Sequence, residues 1–270
     1  MFEFFYNYIP QSTAFLFFGL SIKWYALFIV GGSLFGVLVV RLLQKKYNLY
    51  FEKFDDLLIW SALVGIIGAR VYYVFYAWDY YRDNLLDILK IYKGGLGIWG
   101  AFVGIFLVTW IWCRKKNISF WFLADQLVIL IIIGQIFGRW GNYFNQEVFG
   151  RPSVGVWRIP IELANRPIGY ENFATFLPMF LFESCGNLLL LLLLLVLFNL
   201  IYRQQDSKWP SGVVFIFYLF SYSAFRFFLE FWRIDYSLTF LGLRTAQWVS
   251  LVFFVFSLLL CRLLIKRKQQ

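Results

Sequence analysis

Long apolar runs separated by short polar connectors set the pattern of this chain. A helix that crosses a bilayer needs about 20 mostly apolar residues. Seven stretches meet that requirement, at roughly 22–42, 56–78, 95–113, 119–144, 178–202, 212–232 and 245–265. They predict an all-α polytopic membrane protein with seven transmembrane helices. The run LLLLLLLLVLF inside 178–202 has no soluble reading. The longest connector, about 146–177, carries Gly150, Pro152, Gly155, Pro160, Pro167 and Gly169. It predicts a structured or hinged segment without a helix of its own, and connectors of that length are usually functional. No repeat or flexible linker divides the chain, so a single membrane domain over 1–270 is expected. The opening FEFFYNYIP reads as an interfacial segment. No cleavable signal peptide is expected, since the first basic residue is Lys23.

Composition agrees. The chain is 61% hydrophobic and 15% charged, with a mean hydropathy of +0.68. Soluble domains carry about 25% charged residues. An ordinary soluble domain, a disordered chain and a disulfide-rich secreted module are therefore excluded. The aromatic share of 23% suits a protein with interfacial Trp and Tyr belts. Cys113, Cys185 and Cys261 lie far apart in apolar runs and read as small membrane-buried residues. With no histidine and no close cysteine pair, a metal site is not expected.

The net charge is +10, and its distribution gives it meaning. The connectors after spans one, three and five, with the C-terminal tail, hold thirteen Lys and Arg, among them Arg41, Lys45, Lys46, Arg114, Lys115, Lys116, Arg203, Lys208 and Lys266. The opposite connectors hold nine, spread over longer segments that carry eight acids. The positive-inside rule then places the C-terminus in the cytoplasm and the N-terminus outside. The basic excess is accounted for by topology and by attraction to anionic membrane lipids, and nucleic acid is not needed to explain it.

Six charges fall within or at the ends of spans: Arg70, Asp125, Arg139, Glu183, Arg226 and Glu230. A central Arg or Asp costs at least about 2.5–3.5 kcal/mol on insertion scales, so such residues face a bundle interior or a wet cavity. Each has a plain structural reading as an ion pair fixing helix packing. As a group they gather in two polar stretches. In GRWGNYFNQEVFGR, residues 138–151, Arg139, Asn142, Tyr143 and Gln146 share one face while the segment stays helical, with Asn145 and Glu147 at its end. Gly138, Gly141 and Gly150 allow close approach of backbone or ligand. In YSAFRFFLEFWR, residues 222–233, Tyr222, Arg226, Glu230 and Arg233 form a polar stripe on an aromatic helix. An Arg226–Glu230 pair explains two of these four. Guanidinium forks suit a phosphate. Two Arg-bearing stripes near the outer leaflet suit the phosphate of a membrane lipid, and that inference fits a lipid enzyme and a lipid carrier alike.

At these residues the chain resembles the bacterial prolipoprotein diacylglyceryl transferase family. GRWGNYFNQEVFGR is similar to the pattern G-R-x-G-N-F-x-N-x-E-x-x-G, matching Arg139, Asn142, Asn145, Glu147, Gly138, Gly141 and Gly150, with Tyr143 at the aromatic position. IKWYAL with Tyr25, GAR at 68–70, GGLGIWG at 94–100, Asp125, LPMFLFES at 177–184, FRFFLEFWR and AQWVSL resemble further motifs in order, over about residues 20–255. The resemblance implies seven spans with the same orientation, in the bacterial cytoplasmic (inner) membrane. It implies transfer of the diacylglyceryl group of phosphatidylglycerol to the lipobox cysteine thiol of preprolipoproteins. A thioether forms and glycerol phosphate leaves, without a metal or other cofactor. Arg139 and Arg226 would stabilise the departing phosphate. Glu147 or Glu230 would take the thiol proton or orient an arginine. Tyr25, Asn142, Asn145, Gly150 and Trp99 would line the substrate, with Tyr222 and Arg233 behind them or at the entry. Many members carry His where this chain has Trp99, and Trp cannot take a proton. The reading adopted is that the His is not the obligatory base. The rival readings are a lipid or anion transporter binding phosphate through Arg139 and Arg226, and an inactive member lacking the His. The sequence carries no signal for oligomeric state.

Overall fold

A computed structural model of the chain describes residues 6–49, 51, 53–203 and 209–269. Lys208 and the first five residues of the N-terminal segment lie outside the described residues. Seven helices are long and apolar enough to cross a membrane. They are α1 (Trp24–Tyr47), α2 (Phe54–Tyr76), α3 (Ile98–Lys116), α4 (Phe120–Phe144), α5 (Met179–Tyr202), α6 (Val213–Leu229) and α7 (Thr245–Gln269). Each coincides with a predicted span to within a few residues, apart from the longer C-terminal ends of α1 and α3 and the C-terminal extension of α7. The protein is thus a multi-pass membrane protein. The longer ends have a clear cause. Lys45 and Lys46, and Arg114, Lys115 and Lys116, occupy the last turns of α1 and α3. Basic residues there complement the negative end of the helix macrodipole, while hydropathy alone stops at the first of them. Asn48 and Asn117 then close both helices in the left-handed conformation.

The described residues form two compact units, 1–48 with 124–270, and 49–123. The second unit is the α2–α3 pair and its connector. The two helices meet through glycine: a Cβ on Gly68 would lie 2.4 Å from the Gly100 carbonyl oxygen, so only glycine permits this approach. Arg70, buried on α2, donates to the carbonyls of Asp87, Ile88, Gly94 and Gly95 at 2.5–2.9 Å, and its guanidinium lies 5.2 Å from the Tyr81 ring centroid. This intramembrane charge is spent on pinning its own connector. Trp99, in the first turn of α3, is half exposed, with its ring 6.2 Å from that of Phe102.

In the first unit, α1 packs on α4 through Gly32 against Phe137 and Gly36 against Leu130. Trp24 and Phe28 stack on Phe144, with ring centroids 4.9 and 5.6 Å apart. Asp125, fully buried near the start of α4, accepts from the backbone N–H of Gly212 at 2.7 Å, that of Phe215 at 2.8 Å and the Tyr202 hydroxyl at 2.8 Å. It therefore caps the N-terminus of α6, supplying orphan amides with a partner that water cannot provide. Asp125 thus takes the structural reading.

Three antiparallel hairpins decorate this unit: β1 (Thr13–Phe17) with β2 (Leu20–Lys23), β3 (Ile159–Pro160) with β4 (Thr175–Phe176), and β5 (Thr239–Phe240) with β6 (Leu243–Arg244). The first and third turn through Phe18–Gly19 and Leu241–Gly242, all four residues with positive φ, as tight two-residue turns demand. The 146–177 connector holds β3, β4 and a 3₁₀ turn at Leu163–Asn165, without an α-helix. Its Phe149, Ile159, Ile161 and Phe176 bury with Tyr143 and Phe180 in one aromatic cluster. Of the cysteines, Cys113 is buried, whereas Cys185 and Cys261 face outward from α5 and α7, and Cys185 lies only in the second turn of α5.

Candidate active site

The ends of α4 and α6 and the start of α5 converge on one carboxylate. Glu183, with its side chain only 3% exposed, sits in the second turn of α5. Its Oε2 lies 2.6 Å from Nε of Arg139 on α4. Its Oε1 lies 3.3 Å from Nη1 of Arg233 and 3.6 Å from Nη1 of Arg226 on α6. Glu183 therefore holds three guanidinium groups that would otherwise repel one another. Charges this deep persist only when paired and hydrogen-bonded.

A second carboxylate backs the first. Glu230 Oε2 lies 2.7 Å from Nη2 of Arg226, the i, i+4 pair that the spacing predicts. Its Oε1 lies 3.2 Å from Nε of Arg244 on β6. α6 ends at Leu229, and Glu230–Trp232 tighten into a 3₁₀ turn, which swings Arg233 back toward Glu183. Asp235 accepts from Arg233 Nε at 2.9 Å, and Arg244 donates to the carbonyls of Arg233, at 2.8 Å, and of Asp235. Burial alone would raise the Asp235 carboxyl. The hydrogen bond and charge of Arg233, joined by Arg244, outweigh it and hold that carboxyl below the ordinary carboxylate range. Four arginines thus face three carboxylates in this core, and the excess is cationic. Arg226 Nη1 is buried without a hydrogen bond.

A polar chain leads outward from Arg139. Its Nη1 donates to Asn142 Oδ1 at 3.3 Å. Asn142 and Asn145 both donate to Glu147 Oε1, at 2.7 and 3.2 Å. Glu147 is exposed. It sits between Gln146, with φ +52°, and Val148, with φ +59°. A β-branched residue in the left-handed region is strained, and this turn folds the Glu147 carboxylate back over the two asparagines. Tyr25 lies across Gly141, where a Cβ would come within 2.6 Å of its ring, and it is within electrostatic reach of Glu147 and Arg139. Tyr222 stacks flat on Tyr218 at 5.4 Å. Gly150 donates its N–H to the Leu177 carbonyl and bridges to Arg233. A Cβ there would press on Met179, Leu177 and Trp232, so the close approach it permits is between protein strands that seat Arg233.

The expected common face of Arg139, Asn142, Tyr143 and Gln146 is broken. The helix ends at Phe144, Tyr143 turns into the core to stack on Phe180 at 4.5 Å, and Gln146 pins the Pro10 carbonyl and the Glu162 N–H. Two members of the cluster, Asp235 and Arg244, fall outside the residues singled out from the sequence, and Glu183, noted there only as one of six intramembrane charges, is given no role. LPMFLFES contains the signal for Glu183. The Leu241–Gly242 turn signals the hairpin that returns Arg244 to Glu230.

Comparison with known proteins gives the family. The family model described as "Prolipoprotein diacylglyceryl transferase" matches residues 12–263. Among similar proteins, one from Acaryochloris marina is 40% identical over 86% of this chain and 82% of its own length. One from Synechocystis is 37% identical over 90% and 85%, and one from Listeria innocua is 38% identical over 88% and 84%. All three are named phosphatidylglycerol--prolipoprotein diacylglyceryl transferase. The chain, with its arginines gathered on one buried glutamate, belongs to the prolipoprotein diacylglyceryl transferase family.

Proposed function

We propose that the protein transfers the diacylglyceryl group of phosphatidylglycerol to the lipobox cysteine of preprolipoproteins in the bacterial cytoplasmic membrane, with the site at the extracytoplasmic end of α4 and α6. The observation that carries this reading is the convergence of Arg139, Arg226 and Arg233 on Glu183, a preorganised cationic site in which Arg226 Nη1, 3.6 Å from Glu183, makes no hydrogen bond. A phosphodiester supplies the negative charge that such a site lacks.

The chemistry follows from the layout. The peptide thiol loses its proton to the exposed Glu147 carboxylate. The thiolate attacks the glyceryl carbon that bears the phosphoester. A sulfur–carbon bond forms as the carbon–oxygen bond breaks, and glycerol phosphate leaves with the bonding pair. Arg139 and Arg226 meet the charge growing on that oxygen, in surroundings where such contacts outweigh their value in water. Glu147 suits the base role better than Glu230, whose two oxygens are taken by Arg226 and Arg244. Glu230 orients arginines. Asn142 and Asn145 hold Glu147, Tyr25 borders the entry, and Tyr222 and Arg233 support the phosphate site.

The test is purified protein incubated with phosphatidylglycerol and a lipobox peptide. A gain of one diacylglyceryl mass on the peptide cysteine is expected. Lipid movement between leaflets without that mass gain would favour the transporter reading, and neither outcome would favour an inactive member.

A further inference from the structure

Beneath the charged layer the interior changes character in two steps. Four residues along a helix are about 6 Å, one turn on the same face. One turn deeper than Arg139, Glu183 and Arg226 stand Gln135, Asn187 and Tyr222. Beyond them come Ile132, Leu191 and Leu194, all buried and apolar. Charge, neutral polar groups and hydrocarbon therefore follow in that order.

In the middle layer Asn187 is set apart by a side chain that makes no hydrogen bond to any described residue. Asn187 is 1% exposed, and its Oδ1 is buried. Its neighbours each make a side-chain hydrogen bond: Ser184 donates to the Ile136 carbonyl, and Gln135 donates to Tyr218, although Gln135 Oε1 is itself buried without a partner. A buried amide oxygen left without a partner in a membrane interior keeps its desolvation penalty and calls for a partner. Because the two ends of an amide exchange by a flip, either a donor or an acceptor can be presented.

We propose that Asn187 donates a hydrogen bond to an acyl ester carbonyl of the substrate lipid. This rests on the transferase reading, with phosphate at the arginines. The ester carbonyls of a glycerophospholipid hang a few bonds below the phosphate, a reach comparable to one helical turn. They are also its last polar groups before the chains, which matches the place of Asn187 between Glu183 and the leucines. The site thus reads the ester linkage as well as the head group.

The experiment compares diacyl phosphatidylglycerol with its dialkyl ether analogue of matched chains, using the full-length protein and a lipobox peptide. The wild type is expected to favour the ester by about 3- to 10-fold in kcat/KM, the worth of one neutral hydrogen bond. In Asn187→Leu and Asn187→Ala that ratio falls toward unity, with the loss on the ester lipid. The ratio is internal to each preparation, so misfolded protein cancels. Equal use of both lipids by the wild type overturns the proposal, as does an undiminished preference in the variants. Abolished turnover on both lipids also overturns it, because one neutral hydrogen bond cannot account for that loss. A wild type that makes no thioether from either lipid sinks the transferase reading, and this inference with it.

Discussion

Arg139 Nε lies 2.6 Å from Glu183 Oε2, and that contact ties the end of α4 to the start of α5 at the point where α6 delivers Arg226. Glu183 is the counter-ion for three guanidinium groups, so its removal leaves several buried cations facing one another. Breaking a buried pair costs about 3–5 kcal/mol. Glu183→Leu is expected to lose stability of that order and all turnover, whereas Glu183→Gln, which keeps the shape and the hydrogen-bond acceptor, loses less stability. Thermal unfolding with a thioether assay checks both. An unchanged melting temperature in Glu183→Leu refutes the counter-ion role.

Arg226 is expected to be more important for rate than for folding. Arg226→Lys retains the cation but loses the planar fork that serves Glu230 and leaves one nitrogen for the substrate. Removing a preorganised donor to a developing oxyanion costs about 10²–10³-fold in kcat. The loss is read as kcat on phosphatidylglycerol, with the melting temperature held near the wild-type value as the control. Unchanged kcat would remove Arg226 from the chemistry.

How much of this was legible in the sequence depends on whether the partners share an element. The spans show themselves because a bilayer leaves the backbone few alternatives. Arg139, Asn142 and Glu147 are visible because they lie within one short stretch. The face drawn through Tyr143 and Gln146 fails because periodicity assumes a continuing helix, and two left-handed residues, Gln146 and Val148, end it. Asp235 and Arg244 escape selection, and Glu183 shows as an intramembrane charge without its central place, because their partners come from α4, α6 and a hairpin, a tertiary arrangement that no spacing encodes. Arg70 looks the same as Arg139 in composition, and only its carbonyl partners show that it serves its own connector.

Asp235 supplies a pH-dependent contribution to stability with a defined sign. Its folded carboxyl is held below the usual value of 3.8 by Arg233 and Arg244 against the effect of burial. A depressed carboxylate stabilises the fold at pH above its unfolded value and loses that contribution as pH falls through the folded one. The stability gap between wild type and Asp235→Asn is therefore expected to be constant from neutrality to about pH 5 and to close below about pH 4. Unfolding midpoints measured across pH 3–7 report it. A gap that widens on acidification would contradict the ion pairing.

Asp125→Ala separates capping from catalysis. The substitution strands the amides of Gly212 and Phe215 at the start of α6, at a cost of about 1–3 kcal/mol. Melting temperature should fall, while thioether formation per folded molecule stays close to wild type, because Asp125 lies near the opposite end of α4 from Arg139. A selective loss of kcat in fully folded protein would show that Asp125 has a second duty.

The base is best identified by what pH can replace. A cysteine thiol ionises near pH 8.5 on its own, so an enzyme deprived of its proton acceptor recovers as alkali does the work instead. Glu147→Gln retains an acceptor oxygen for Asn142 and Asn145 but takes no proton. Its kcat/KM is expected to fall steeply at pH 6.5 and to rise about tenfold per pH unit until the peptide thiol is ionised, closing on wild type near pH 9. Glu230→Gln weakens the contacts to Arg226 and Arg244, a loss that hydroxide cannot repair, so its deficit should stay flat across the same range. Rate profiles of the two variants on one peptide make the comparison. Parallel profiles, or rescue of Glu230→Gln alone, would move the proton away from Glu147.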